Sequence, residues 1–295
     1  MKGRGVTSFL KNLSREAPVL IAGPTASGKS ALAMDLAARD GRVIINADAL
    51  QVYRCWRILS ARPSPADEAA LPHALYGHVD RDQPYSVGHW LRDVQRWLDR
   101  PIVIVGGTGL NFTALTKGLA EIPDTPADVR QEADLRRAQQ GFGALLAELD
   151  AATAARIDVA NPVRVQRAWE VLRATGRGLA QWQDSTGPAL LPRVDCEALV
   201  IIPEVPWLNA RIDARFAAMI DGGALDEARA ALPHWQPNQP WARAIGAPEL
   251  IAHLRGEIGL DQAIDAASVA SRQYAKRQRT WFRSHMKDWR QLNLP

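Results

Sequence analysis

Residues 23–30 read Gly-Pro-Thr-Ala-Ser-Gly-Lys-Ser, a set whose types and spacing suit one task, the cradling of a polyphosphate. Gly23 and Gly28 let the backbone curl so that the N–H groups between them, those of Thr25, Ala26 and Ser27, turn inward. A helix starting near Gly28 adds orphan N–H donors and the positive end of its dipole. Lys29 supplies a point charge, and the Ser30 hydroxyl can ligate Mg2+. The elements needed to position such a loop are in place. The apolar run Val19–Ala22 reads as a strand leading in, and the amphipathic stretch Ser30–Arg39 reads as a helix leading out. The loop alone does not say which phosphate compound it holds.

Three further apolar runs read as buried parallel strands: Val43–Asn46, Ile102–Val105 and, much later, Ala198–Ile202. Helical patterns separate the early ones, such as Val87–Leu98 with Ser86 as its N-cap. Strands alternating with helices predict an α/β fold with a doubly wound parallel sheet. In such sheets ligands bind beyond the carboxyl ends of the strands. The three early strands end there in the P-loop, in Ala47-Asp48, and in Gly106-Gly107-Thr108-Gly109.

Between about Asp124 and Pro192 the strand signals stop. Val129–Gln140, Gly143–Leu149, Thr153–Ile157 and Pro162–Ala174 read as helices. The last has Asn161 as N-cap, proline at the first helical position and Gly176 as a stop. The expected organisation is therefore an N-terminal extension over 1–17, a P-loop core over 18–124 and 191–295, and a helical insertion over 125–190. At about 100° per residue, Arg272, Lys276, Arg279, Arg283, Lys287 and Arg290 fall in one sector of a last helix, with Tyr274, Trp281, Phe282 and Trp289 opposite. Such a stripe suits a helix packed on its own domain and facing an anion, or a solvated face.

The 295 residues carry a net charge of +4, a weak lean toward anionic partners, and only two cysteines, Cys55 and Cys196, outside any CxxC pattern. That predicts a reducing compartment and no zinc site. No apolar run approaches a membrane span, and the basic first residues lack the apolar centre of a secretory signal. A cytoplasmic location is expected.

ATP or GTP use is the first reading of a P-loop, but it usually calls for an acid at the end of a neighbouring strand. Ile102–Val105 ends in glycines instead. Val43–Asn46 does lead into Asp48, so a small-molecule kinase with Asp48 as base stays open.

The wider pattern is more specific. In order come Gly23–Ser30, Asp48-Ala-Leu-Gln-Val-Tyr-Arg54, Ala61-Arg-Pro63, Leu71-Pro-His73, Tyr85-Ser-Val87 and Val105-Gly-Gly-Thr-Gly-Leu110. Asn161-Pro-Val-Arg-Val-Gln-Arg-Ala168 and Ser271-Arg-Gln-Tyr-Ala-Lys-Arg-Gln-Arg-Thr-Trp-Phe-Arg283 follow. Jointly these resemble the bacterial tRNA dimethylallyltransferases, also called tRNA isopentenyltransferases, from about Pro18 to Arg283.

The resemblance implies transfer of a dimethylallyl group from dimethylallyl diphosphate to N6 of the adenosine 3′ of the anticodon. The partner would be the anticodon stem-loop of a subset of tRNAs, and the cofactor Mg2+ at Ser30. The residues Gly23, Thr25, Ala26, Ser27, Gly28, Lys29 and Ser30 would then hold the donor's diphosphate, with Arg243 as a further ligand. Asp48 matches the family's catalytic aspartate, and Thr108 its Gly-Gly-Thr threonine. Gln51, Arg130, Gln166, Arg167, Arg272, Lys276, Arg279 and Arg283 are the expected tRNA contacts. A monomer is expected, since nothing specifically requires a dimer.

The chain departs from the family pattern near the expected donor pocket. It has Ala49 after Asp48 where serine is usual, Cys55-Trp56 after Tyr53-Arg54, Leu59-Ser60-Ala61-Arg62-Pro63 for Gly-Thr-Ala-Lys-Pro, and Ala247-Pro248 where a tyrosine and a cation are usual. Besides the kinase, an adenylate prenyltransferase of the cytokinin type and an RNA-binding protein without catalysis remain alternatives.

Overall fold

A computed structural model of the chain describes residues 13–293. Residues 1–12, most of the expected N-terminal extension, lie outside the described residues. The remainder of that extension is anchored. Leu13 is buried against Val19 and Ile21, and the Arg42 guanidinium donates to the carbonyls of Ser14 at 2.5 Å and Ala17 at 2.7 Å.

Six parallel strands, β1 (Val19–Ala22), β2 (Val43–Asn46), β3 (His73–Ala74), β4 (Ile102–Gly106), β5 (Glu197–Ile201) and β6 (Arg290–Leu292), form one sheet in the order β3-β2-β4-β1-β5-β6. Its core follows from the two-residue period of a strand. Val19, Ile21, Val103, Val105, Leu199 and Ile201 share one face with the helix Lys29–Asp40. Leu20, Ala22, Ile102, Ile104, Ala198 and Val200 share the other with Trp90, Phe112 and Phe282. Both faces are covered, so the strands read as continuous apolar runs rather than alternating ones.

The four expected strands form, β4 one residue longer than its apolar run and β5 shifted one residue earlier. The edge strands β3 and β6 have no counterpart in the sequence reading. They are two and three residues long, and β6 contains Arg290, which the helical period assigns to the basic stripe. The last helix, Leu260–His285, stops short of Lys287 and Arg290, so those two cations leave the stripe. Met286 and Trp289 are buried, and Trp289 packs edge-on against Phe112 at 5.3 Å. These anchors turn the chain back so that β6 can pair with β5.

The chain divides into two compact units, Met1–Thr116 with Leu190–Pro295, and Lys117–Ala189. The second contains the helices Ala127–Gln140, Phe142–Ala147, Ala151–Arg156, Pro162–Thr175 and Leu179–Asp184. Ala133, Leu145, Val165 and Trp169 form its core. The Asn161 side chain accepts from the N–H groups of Val163 and Arg164, Pro162 opens its helix, and Gly176 closes it in the left-handed conformation.

Candidate active site

The carboxyl ends of β1, β2 and β4 lie side by side in the first unit, and each feeds one loop of the site. After β1 the P-loop runs to Gly28, whose φ of +88° is a conformation that side chains resist. Ala26 adopts φ +63° in the same loop, a strained value for a residue with a Cβ. The helix Lys29–Asp40 begins immediately after, so its first N–H groups have no intrahelical partners. Within the loop the Ser27 hydroxyl is fully buried without a hydrogen-bond partner. Lys29 is buried and its Nζ donates to the Pro24 carbonyl at 3.3 Å. Burial pulls its pKa down to about 8, against the raising influence of the Asp48 carboxylate, and Arg215 adds to the lowering.

After β2, Asn46 shapes the turn that presents Asp48. Its Oδ1 accepts the Asp48 N–H at 2.8 Å, and its Nδ2 donates to the carbonyls of Asp48 and Leu75, each at 3.0 Å. The Asp48 carboxylate accepts from the N–H of Gly107 at 3.3 Å and of Leu50 at 3.4 Å. Both bonds are long and weak, so the carboxylate keeps acceptor capacity for another donor. After β4, the Thr108 hydroxyl accepts the Ala49 N–H at 2.9 Å. The contact is to backbone, so the loss of a serine hydroxyl at 49 leaves this clamp between the two loops intact. Gly107 is required by close approach: a Cβ there would come within 2.1 Å of the Gln278 amide nitrogen.

Four side chains with no assigned site role in the sequence complete the site, Tyr274 and Gln278 from within the Ser271–Arg283 segment and Arg211 and Arg215 from outside the motifs. Gln278, buried on the last helix, accepts the Thr25 N–H at 2.9 Å and donates to the Gly107 carbonyl at 3.0 Å. It ties the P-loop to the glycine-rich loop. Arg215, on the helix Val205–Asp221, donates to the Thr25 hydroxyl. Desolvation lowers its pKa to about 10, opposed by Asp48 and assisted by Arg211. Arg211, one turn earlier, donates to the Ala26 carbonyl at 3.0 Å. Tyr274, which lines the cleft, has its phenol pushed up by burial and by the Asp48 charge.

Several of these groups face one narrow cleft of ≈ 50 Å³. Thr25, Asp48, Arg215, Ser271 and Tyr274 line it together with Leu50, Leu59, Ile212, Phe216, Met219 and Ile245. One region is cationic and hydrogen-bonding, the other is apolar. Two departures from the family pattern belong to the apolar packing next to it. Trp56 is fully buried and donates its indole N–H to the Trp241 carbonyl at 2.8 Å. Ala247 is buried in that packing, while Pro248 is exposed in the first turn of the helix Ala247–Leu254, whose start is closed by Glu249 accepting the Gly246 N–H at 3.1 Å.

The structure brings the P-loop, Asp48 and Thr108 together. Arg243 stands exposed at the end of the turn Pro240–Arg243, beside the cleft-lining Ala244 and Ile245 but not itself in the lining. The Gln51 amide is held by the carbonyls of Ser60 at 2.9 Å and Ala61 at 3.0 Å. On the last helix Lys276 and Arg283 are exposed, Arg272 pairs with Asp213, and the buried Arg279 Nε has no partner. In the second unit Arg130 is exposed. There Gln166 donates to Asp134 at 2.8 Å and Glu170 at 2.9 Å, and Arg167 donates to Thr125. Ser30 is exposed in the first turn of the P-loop helix. Among the described residues no three His, Cys, Asp or Glu side chains gather into a metal site.

Gln278→Leu should uncouple the two loops. It strands the Thr25 N–H and the Gly107 carbonyl, each costing about 1–3 kcal/mol if left without a partner. The expected result is a lower thermal midpoint and, for a phosphate ligand of the loop, about tenfold weaker binding, read by thermal unfolding and by ligand titration.

A family model described as IPP transferase matches residues 51–285, and one described as isopentenyl transferase matches residues 17–72. The chain is 66% identical to a tRNA dimethylallyltransferase of Cereibacter sphaeroides, covering 97% of this chain and 92% of that one. It is 64% identical to one of Dinoroseobacter shibae, with coverages of 95% and 96%. Among solved structures it is similar to a tRNA isopentenylpyrophosphate transferase of Bacillus halodurans, with TM-score 0.66 and 29% identity over 94% of this chain and 90% of the other. A eukaryotic dimethylallyltransferase acting on tRNA shares the fold with TM-score 0.75 at 22% identity, over 94% of this chain and 74% of that one.

Proposed function

The chain belongs to the tRNA dimethylallyltransferase family, and from that membership and the shape of its cleft we propose that it transfers a dimethylallyl group from dimethylallyl diphosphate to N6 of an adenosine 3′ of the anticodon in tRNA. The observation that carries the reading is a cleft in which Thr25 of the P-loop, Asp48 and Arg215 stand beside a set of apolar side chains. Lys29, Arg215 and the loop N–H groups suit a diphosphate, while Leu50, Leu59, Phe216 and Met219 suit a short hydrocarbon rather than a nucleoside.

In this reaction the N6 lone pair forms a bond to C1 of the prenyl group as the C1–O bond breaks, and the diphosphate departs with the bonding pair. Asp48 accepts one N6 proton, which both aims the amine and prevents a positive charge from remaining on it. Lys29, Arg215 and the loop amides stabilise the charge that develops on the leaving diphosphate. The Thr108 hydroxyl, already accepting from Ala49, keeps its own O–H to donate toward the oxygen between prenyl carbon and phosphorus. The target base must leave its stack to reach the cleft.

The donor set fits Mg2+, which favours phosphate oxygens and water with few protein ligands. Ser30 would hold it beside the diphosphate, where it supplies further charge neutralisation. Arg243 is assigned to the diphosphate, and Gln51, Arg130, Gln166, Arg167, Arg272, Lys276, Arg279 and Arg283 to tRNA on the same reading. Cations on RNA phosphates make binding fall with salt. No helix among the described residues is long and apolar enough to cross a membrane. A cytoplasmic monomer is proposed on the family reading alone.

The test supplies labelled dimethylallyl diphosphate with unmodified tRNA, with AMP, or alone, and follows ATP hydrolysis in parallel. Label in tRNA is expected. Label in AMP but not in tRNA, or ATP turnover without label transfer, would overturn the reading. The pH profile adds a second check. Lys29 is cationic below about pH 8 and neutral above it, and only the cation holds the donor. Donor kcat/KM should therefore fall above pH 8, approaching tenfold per pH unit. Lys29→Arg should lose that limb, because a guanidinium stays charged.

A further inference from the structure

We infer that Met219 forms the floor of the donor cavity and sets a five-carbon limit on the transferred chain; this rests on the prenyl-transfer reading above. Ile212, Arg215, Phe216 and Met219 are spaced i, i+3, i+4, i+7 on the helix Val205–Asp221, so they share one face, and all four line the cleft. Ile212 packs with Ala26 at the P-loop end. Arg215 touches Thr25 of the P-loop and marks the level of the phosphates. Phe216 and Met219 lie in the apolar cluster with Leu59, Trp241 and Ala244. The helix thus runs along the cavity from its anionic-ligand end to its hydrocarbon end.

Lengths then decide the limit. Arg215 and Met219 are one turn apart, about 6 Å along the axis. Four carbons in an extended chain, joined by three bonds of about 1.5 Å, span about 4 Å. A dimethylallyl group attached at the level of Arg215 therefore ends at Met219, and a ten-carbon chain would need about 5 Å more.

The two apolar side chains of this face play different parts. Phe216 is fixed: a Cβ on Gly246 would lie 2.6 Å from its ring, and 3.1 Å from Leu59. The ring is wedged into the Gly246 turn, where φ is +93°, and it cannot swing aside for a longer chain. Met219 is 9% exposed, and its unbranched thioether is the adaptable part of the wall. The cluster that holds it also contains the small residues Ala224 and Ala228, and shortening residue 219 removes side-chain volume from the hydrocarbon end of the cavity.

The experiment measures kcat/KM for dimethylallyl and geranyl diphosphate with unmodified tRNA, in the wild type, Met219→Ala and Met219→Val. The wild type should favour dimethylallyl diphosphate by at least about 100-fold, since the excess carbons have no room. Met219→Ala should shift the geranyl-to-dimethylallyl ratio toward geranyl by at least about tenfold, the scale on which pockets discriminate methylenes. Met219→Val, a smaller change that keeps the core fuller, should give an intermediate shift. Ratios within about twofold of wild type in whichever variants fold would overturn the inference while leaving prenyl transfer intact. A wild type that uses both donors equally would overturn it too. Transfer of neither donor to tRNA would instead overturn the prenyl-transfer reading and the inference together.

Discussion

Asp48→Asn should lower kcat for prenyl transfer at least about 100-fold while donor and tRNA binding persist. The size of the loss is that of a positioned base removed from a proton transfer. The exocyclic amine of adenine is a weak nucleophile because its lone pair is conjugated into the ring, and the carboxylate both aims its N–H and takes the proton. Asparagine keeps the shape, and although its single oxygen can accept from only one of Gly107 and Leu50, both bonds are long and the Thr108–Ala49 clamp still holds the loops after β2 and β4 together. Donor binding should hold or tighten, because Asp48 is a negative charge facing the residues that bind a diphosphate. The charge change has a second readout. The Asp48 carboxylate raises the pKa of Lys29, which burial lowers to about 8. Without it Lys29 deprotonates at lower pH, so the alkaline limb of donor binding should begin below pH 8 in the variant. Single-turnover rates, filter binding of tRNA and the pH dependence of donor affinity check the three parts separately. Near-normal turnover would remove Asp48 from the role of base.

The parts of the site visible in the sequence are those carried by loops directly after uniform apolar strands. β1, β2 and β4 are buried on both faces, and the apolar run of each ends where its loop begins. The P-loop, Asp48 and Thr108 are therefore placed by chain position alone. Gln278 and Arg215 are contributed by helices distant in sequence, 253 and 190 residues from Thr25. Their contact with the P-loop exists only after the helices Val205–Asp221 and Leu260–His285 pack on the core. A signal for Arg215 is nonetheless present in the sequence. It falls on the same face as Ile212, Phe216 and Met219, and a guanidinium on an apolar face calls for a partner. Gln278 is the comparable case on the last helix, where it is buried along with Ala267, Ser271, Ala275 and Phe282. The cations of the basic stripe mark other positions of that helix and give no hint of this buried amide. The two outermost members of the stripe leave it because the helical period does not continue past His285, into residues that the burial of Trp289 draws into a strand.

Arg215→Ala should lower donor kcat/KM by about 100-fold or more, the scale seen when one preorganised donor to a developing anion is removed. Arg215 lies beside the P-loop with the Thr25 hydroxyl as its hydrogen-bonded partner in the cleft, and desolvation lowers its pKa to about 10. A desolvated guanidinium is tolerated when an anion completes its hydrogen bonds, and the donor's diphosphate is the anion this cleft is shaped to receive. The interaction should grow as the C1–O bond breaks and charge moves onto the leaving group, so kcat should fall more than donor affinity. Arg215→Lys should recover only part of the loss, because an ammonium cannot grip Thr25 and two phosphate oxygens in the planar geometry of a guanidinium. Stability should respond differently. Alanine removes a cation that repels Lys29, so the pKa of Lys29 should rise and the free enzyme should lose little thermal stability. Inorganic diphosphate should raise the thermal midpoint of the wild type and do so much less in Arg215→Ala. Equal shifts in the two proteins would show that Arg215 does not hold the diphosphate.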